Sequence, residues 1–434
     1  MFPGIRLPRF IYAENTTASI AGAVCPEAVG RKSVAWSGFP FLAVAAGLPL
    51  LVWPGLAQPF SQPKVFFLVA AVAVSVLAFP GRIYAAWLEL GSPLQQLTAA
   101  WLVALSLAAI FGRSVALDAF LLPVAGLGWF LATQRTVPDA RLFARALELS
   151  ATCIAAIALA QMLHVDPFVW MGWSSSTDPG DRMRVFSTLG NPNFVAAYLC
   201  GSLPLSLASL RQPRKSWAHG VALPIQLGGI VATGSRAPLL ALVAVAIWWM
   251  ALRQWGLLRR LAIAAAFALL AASLLQSGRS LAAKLEGRAY IWSVAVPHLL
   301  EHPLLGVGPG GFATMYPAWE AVNWSQGHYL EQQKAFSAPM DHAHNDFLEL
   351  LVEGGAVSLA AWMALMAALL GRVARQLRAR ANGITAGASA GVVAILGVAL
   401  VDFPLHRPAE LFLLWSLLAL CCIPPAQYAV NRNL

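Results

Sequence analysis

The densest run of ionisable side chains in this sequence is Asp341-His-Ala-His-Asn-Asp-Phe-Leu-Glu-Leu-Leu-Val-Glu-Gly-Gly355. If the run is helical, Asp346, Glu349 and Glu353 fall at i, i+3 and i+7 and share one face. His342 and His344 stand just before that face and could pair with it, or act as hydrogen-bond donors at the helix entry. A neutral imidazole with a pKa of about 6.5 also suits general-base work. Two histidines beside carboxylates meet the donor count of a metal site. However, His-x-His with nearby acids is a weak metal pattern, and no metal or other cofactor is expected.

Several arginines could hold an anion. Arg236 sits in Thr233-Gly-Ser-Arg-Ala-Pro238, a tight turn between two apolar segments. Such a turn cannot carry its side chain far from a membrane surface. One reading is an arginine snorkelling to lipid headgroups; the other is a fixed guanidinium whose planar fork binds phosphate oxygens in pairs. Arg288, in Glu286-Gly-Arg-Ala-Tyr-Ile-Trp292, is expected to open a surface helix. A cation is disfavoured at that end unless an anionic ligand joins it. Arg182 and Arg184 precede Val-Phe-Ser-Thr-Leu-Gly-Asn-Pro-Asn193, where Asn191 and Asn193 read as a turn and helix cap with ligand contact as the alternative. Gly306-Val-Gly-Pro-Gly-Gly311 has no Gly-Lys-Ser/Thr ending and no strand–turn–helix context, so it reads as a tight loop and not as a nucleotide cradle.

The elements that must position these residues are membrane helices. Of 434 residues, 59% are hydrophobic and only 11% charged, with mean hydropathy +0.67. Soluble domains carry about 25% charged residues. Long apolar blocks recur from end to end, which excludes a single soluble domain and a disordered chain and argues against a transmembrane barrel. The net charge of +10 is read as loop charge that sets orientation. The five cysteines (Cys25, Cys153, Cys200, Cys421, Cys422) form no Cys-x-x-Cys pair, so neither a disulfide framework nor a zinc site is expected. The mixed N-terminal stretch lacks a secretory apolar core, and no tandem repeat or low-complexity tract is present.

About twelve spans can be drawn, roughly 36–57, 65–79, 94–111, 115–131, 147–163, 194–210, 217–233, 238–252, 261–276, 347–370, 384–401 and 409–424. Several fall short of the ideal of about 20 residues. With the N-terminus inside, the cytoplasmic side holds 19 of the 29 Lys and Arg and the outer side 10. The runs Arg211-Gln-Pro-Arg214-Lys215 and Arg372–Arg380 drive this asymmetry. The ten outer cations are Lys64, Arg113, Arg182, Arg184, Arg236, Arg279, Lys284, Arg288, Lys334 and Arg407. They run against the orientation trend, so each needs its own reason. The expected organisation is an all-α polytopic membrane protein: an N-tail at 1–35, helices over 36–276, one large outer loop at 277–346, three more helices over 347–424 and a C-tail at 425–434. Within the loop, Gly287–Leu300 reads as a helix at the membrane surface.

Taken together, Thr233-Gly-Ser-Arg-Ala237, Gly287-Arg288 with Ile291-Trp292, His302-Pro-Leu-Leu-Gly-Val-Gly-Pro-Gly-Gly-Phe312 and His342-Ala-His-Asn-Asp-Phe-Leu-Glu-Leu-Leu-Val-Glu-Gly354 resemble the bacterial O-antigen ligase/O-antigen polymerase superfamily. Asn191-Pro-Asn193 and Asp402-Phe-Pro-Leu-His406 look like its flanking motifs. The resemblance covers about Arg184 to His406. It implies a C-type glycosyltransferase-like helical fold and an inner-membrane enzyme whose site faces the periplasm. The donor is a glycan on undecaprenyl pyrophosphate. The acceptor is lipid A–core oligosaccharide in ligases, another lipid-linked glycan in polymerases, and protein hydroxyls in a third branch, whose long tail this sequence lacks. Carried over motif by motif, the resemblance assigns catalytic roles to His344, Arg288 and Arg236. Substrate contact is expected of His342, Arg184, Asn193 and Asp346.

The mechanism expected from these assignments is an inverting, metal-independent transfer. The donor arrives activated by pyrophosphate, so the protein must neutralise charge on the leaving phosphate and take a proton from the acceptor hydroxyl. Arg236 and Arg288 would grip the pyrophosphate. His344 would act as base, oriented by Asp341 or Asp346. Two rivals are an exopolysaccharide polymerase with the same chemistry and a transporter of an anionic lipid or glycan. The transporter would need ionisable groups or broken helices at midplane, for which Glu353 and the Gly354-Gly355 break are the best candidates. No nucleic-acid partner is expected.

Overall fold

A computed structural model describes residues 38–137, 139–169, 185–210, 217–252, 278–327, 340–379 and 383–423. Among these residues all regular structure is helical. In chain order the helices are α1 (Phe39–Gly47), α2 (Gln62–Ala78), α3 (Pro80–Leu90), α4 (Ser92–Phe111), α5 (Leu117–Thr136), α6 (Ala140–Met162), α7 (Pro192–Ser209), α8 (Trp217–Thr233), α9 (Ala237–Ala251), α10 (Gly278–Ala295), α11 (Gly311–Ser325), α12 (Asp346–Ala379), α13 (Gly383–Val398) and α14 (Pro408–Cys422). Short 3₁₀ turns follow α1, α10 and α13.

Among the described residues, four helices (α4, α5, α6 and α12) are long and apolar enough to cross a bilayer; α2 and α3 make a fifth span if that pair, bent by 98°, counts as one. The chain is a multi-pass helical membrane protein, but many of the twelve expected segments appear as shorter apolar helices. The expected segment 261–276 lies outside the described residues. Helix α3 was not anticipated. Phe79 leaves the helical region and Pro80 restarts the chain at the first position of a new helix, where its missing N–H costs nothing.

Helix α14 explains how a short helix fits here. Every residue from Pro408 to Cys421 is buried, so α14 is a central pillar with no need to face lipid. It packs on α5 and α13, and Trp129 of α5 donates to the Ser416 hydroxyl at 2.9 Å. Helices α7 and α13 meet at Gly201 and Gly391. A Cβ on Gly391 would lie 2.1 Å from the Gly201 carbonyl oxygen, so a side chain there would force the backbones apart.

The segment 278–327 carries a second, smaller core. Tyr290, Ile291 and Val294 of α10 pack with Phe312, Tyr316 and Trp319 of α11 and with Ala343 and Val352 beyond them. Helix α10 begins at Gly278, so Arg288 lies well inside the helix and does not open it as expected.

Helix α12 is broken at Gly355, whose backbone (φ 66°, ψ −178°) is non-helical. The break is filled by the glycine-rich loop. The amides of Ala356 and Val357, orphaned at the start of the second half, donate to the carbonyls of Pro303 and Leu304. The carbonyls of Val352 and Glu353, orphaned at the end of the first half, accept from Val307 and Gly308 at 2.9 Å. The loop therefore caps both half-helices at once. Its function is to hold the short segment Asp346–Gly354, with its three carboxylates, at a fixed angle.

Candidate active site

The three carboxylates point inward as their spacing predicts. Asp346, Glu349 and Glu353 are all buried, and they converge on His406 of the 404–406 turn. His406 Nδ1 is 2.6 Å from Asp346, while its Nε2 is 3.7 Å from both Glu349 and Glu353. Burial alone would lower the His406 pKa. Glu349, Asp346 and Glu353 together outweigh this and hold the imidazole well above its ordinary value. The cluster therefore contains an imidazolium among carboxylates.

Asp346, expected at the substrate, is fully buried with both oxygens committed. One meets His406, and the other accepts from the Leu405 amide at 2.8 Å. Its role in this geometry is to fix the 404–406 turn. His342 is similarly occupied. Its Nδ1 lies 2.7 Å from Glu349, its ring stacks on Phe403 at 3.9 Å, and the other Glu349 oxygen accepts from the Ala343 amide.

His344 is placed differently. Its backbone is left-handed (φ 51°), a conformation rare outside glycine though more common for histidine than for most residues. Its Nδ1 makes no hydrogen bond, and Asp402 Oδ1 lies 3.7 Å from it. Neither Asp341 nor Asp346 orients it, contrary to expectation. Asp346 is drawn to His406, and the residue beside His344 comes from the far end of α13. Asp402 also acts on Arg288. Burial lowers the Arg288 pKa, and the Asp402 charge works against that fall. Thus one carboxylate lies near the imidazole and acts electrostatically on a guanidinium from a separate element. Helix α10 is tied to the histidine loop by Trp292, whose indole donates to the Ala343 carbonyl at 2.8 Å.

The remaining expected residues divide. Asn191 caps α7 by accepting from the Asn193 amide at 2.9 Å, as its sequence context predicts. The Asn193 side chain accepts from the Ser235 hydroxyl at 2.9 Å and so docks the α8–α9 hairpin, including half-buried Arg236, on the start of α7. Phe194, next along, packs edge-on against Phe403, the same ring that touches both histidines. Arg184 and Arg182 lie outside the described residues. Lys64, one of the ten outer cations, has a structural reason: it is buried and its ammonium donates to the carbonyls of Leu51, Phe60 and Thr188.

The partnering roles of Asp402 and His406 were missed from sequence. They stand in a short turn with no periodicity. The only signal was their motif, Asp402-Phe-Pro-Leu-His406, which suggests a site but not which partner each residue meets.

These features define a helical membrane protein in which a histidine lies near a carboxylate whose charge also acts on an arginine. Residues 221–363 match the family model described as O-antigen ligase (Wzy_C). This supports the O-antigen ligase superfamily resemblance read from the motifs. The match contains Arg236, Arg288, His342, His344 and the three carboxylates, and ends before Asp402 and His406. A search of curated proteins finds no match.

Proposed function

We propose that this protein is an O-antigen ligase-type glycosyltransferase. It moves glycan from undecaprenyl pyrophosphate to lipid A–core oligosaccharide at the periplasmic face of the inner membrane. The observation that carries this reading is the placement of His344. It is held in an unusual backbone conformation with Nδ1 unbonded and 3.7 Å from Asp402, whose charge also acts on Arg288.

The Asp402 charge would hold the proton on Nδ1 and leave Nε2 as the base, the division of labour of an acid–histidine pair. The acceptor hydroxyl oxygen attacks the anomeric carbon and its proton passes to His344 Nε2. The bond from that carbon to the pyrophosphate oxygen breaks, and the lipid pyrophosphate leaves with the electron pair. Arg288 and Arg236 meet its growing negative charge, which a guanidinium fork binds through paired hydrogen bonds. Attack opposite the leaving group inverts the anomeric centre. The donor is activated before it arrives, so the chemistry asks for no metal.

The test is transfer by the purified full chain with a lipid-linked donor. Arg288→Ala is expected to lower turnover by about 100–1000-fold, the range for loss of a preorganised donor to developing charge. Near-normal turnover in that variant would remove Arg288 from the mechanism. Chelator is expected to leave the rate unchanged. In a deletion strain, long chains left on the carrier lipid mark a ligase, and single repeat units mark the polymerase alternative.

A further inference from the structure

A cavity of about 180 Å³ with a mixed polar and apolar lining lies beside the histidine site, bounded by Gln58, Phe60, Lys64, Leu189, Arg407 and Glu410 among others. None of His342, His344, Arg236 or Arg288 lines it. It is joined to the histidines through Arg407, whose guanidinium lies over the rings of Phe194 and Phe403.

Two groups in its wall have unmet hydrogen-bonding capacity. Glu410 is only 2% exposed, and its Oε1 has no hydrogen-bond partner. Arg407 Nε is buried with no hydrogen-bond partner among the described residues. Buried polar atoms left unmade are costly, so a ligand or water must complete them. Lys64 offers nothing further, because carbonyls already take its donors. The available chemistry is therefore one carboxylate acceptor facing one guanidinium donor, with Phe60 and Leu189 as apolar wall.

An anion would meet Glu410 and a cation would meet Arg407. A neutral polyol satisfies both, since each hydroxyl donates and accepts. The volume is well below that of drug-sized sites and suits a single ring. We propose that this cavity is a subsite for one neutral sugar ring of the glycan substrate. Hydroxyls of that ring donate to Glu410 and accept from Arg407, while its C–H face rests on Phe60. The identity of the glycan rests on the transferase reading above, but the cavity's affinity for a sugar ring does not.

The probes are D-glucose, D-galactose and D-mannose, read by saturation-transfer NMR on the full chain in nanodiscs free of glycosidic detergent. Inorganic phosphate at equal concentration serves as the competitor. At least one hexose is expected to give a signal that phosphate does not displace. Glu410→Gln, which keeps the shape, and Gln58→Trp, which blocks the exposed mouth, are each expected to lower that signal at least tenfold; His344→Ala is expected to retain it. No hexose signal in the wild type, or a signal unchanged in both cavity variants, overturns the proposal and leaves water as the occupant. In transfer assays the same two variants should raise one KM at least tenfold. A rise for the acceptor assigns the ring to the acceptor, and a rise for the donor assigns it to the donor. If turnover falls with both KM values unchanged, the subsite is refuted. If hexose binds normally but the wild type transfers no glycan, the transferase reading fails and the subsite stands.

Discussion

Two histidines two residues apart have opposite surroundings. His342 is tied to Glu349 and lies flat on Phe403, within a network where Asp346 and Glu349 also hold His406 and backbone amides. His344 has a strained backbone, an unbonded Nδ1 and one distant carboxylate. The first arrangement is saturated: removing a member leaves buried charge behind. The second has capacity left over, which is what a group that must accept a proton requires. Density of ionisable residues therefore locates the site, but unmet hydrogen bonding picks out the residue that acts.

The largest way to break this contrast is on the saturated side. His406→Ala would leave Asp346, Glu349 and Glu353 buried without their cation. Breaking a buried charged network by removing one partner costs about 3–5 kcal/mol, enough that the variant should melt far below the wild type or fail to accumulate. Thermal unfolding in detergent measures it. The pH dependence follows from the same group. Its folded-state pKa is raised above the ordinary 6.5, so its stabilisation is fully present below that ordinary value and is lost as pH rises through the raised one. The melting temperature is expected to hold through neutrality and fall on the alkaline side. A melting temperature that shows no fall on the alkaline side would mean that His406 is neutral in the fold.

On the open side the expected signature is reversed. His344→Ala should lower turnover by about 100-fold or more, the usual range for loss of a general base, with little change in melting temperature. His342→Ala should destabilise the protein, since it strips a partner from buried Glu349. If His342→Ala proves as stable as the wild type and equally inactive, the two histidines have exchanged roles and the contrast fails.

Much of this was legible in the sequence, for definable reasons. Helical spacing alone predicts that Asp346, Glu349 and Glu353 share a face, because those contacts are set within one turn or two. The Asn191-Pro192 cap is equally local. By contrast, the carboxylate near His344 comes from a turn after α13, and the same Asp402 acts electrostatically on Arg288. No periodicity links them, so Asp341 and Asp346 were the nearest candidates and the wrong ones. The start of α10 was misplaced because Gly287 resembles a helix boundary, whereas the helix runs through it from Gly278. The glycine-rich loop reads from sequence only as a tight turn. That it caps both halves of α12 depends on a break at Gly355 more than forty residues away.

That break separates the two regions, so Gly355→Ala tests how far they are independent. A Cβ there would meet the Leu304 carbonyl oxygen at 2.2 Å, in a backbone conformation that L-residues rarely adopt. A residue forced into such a conformation costs about 1–3 kcal/mol. The substitution should lower stability by that amount or more. Its larger effect is expected on the carboxylate cluster carried by the first half-helix, seen as a shift of the alkaline limb of the melting curve. Loss of stability with that limb unmoved would mean that the half-helix keeps its angle without the glycine.

The smallest expected effect is at Asn191. Replacing an N-cap asparagine with alanine costs about 1 kcal/mol, and Asn191→Ala should shift the melting temperature only slightly. The consequence for binding is larger, because the cap fixes Asn193, which holds Ser235 and with it the hairpin of Arg236. If Arg236 grips the leaving pyrophosphate, loosening the cap should raise the KM for the lipid-linked donor by more than the small loss of stability would suggest, while binding of the acceptor stays as it was. Equal effects on both substrates would show that the hairpin is merely packed against α7, and the open side of the site would then reduce to His344, Asp402 and Arg288.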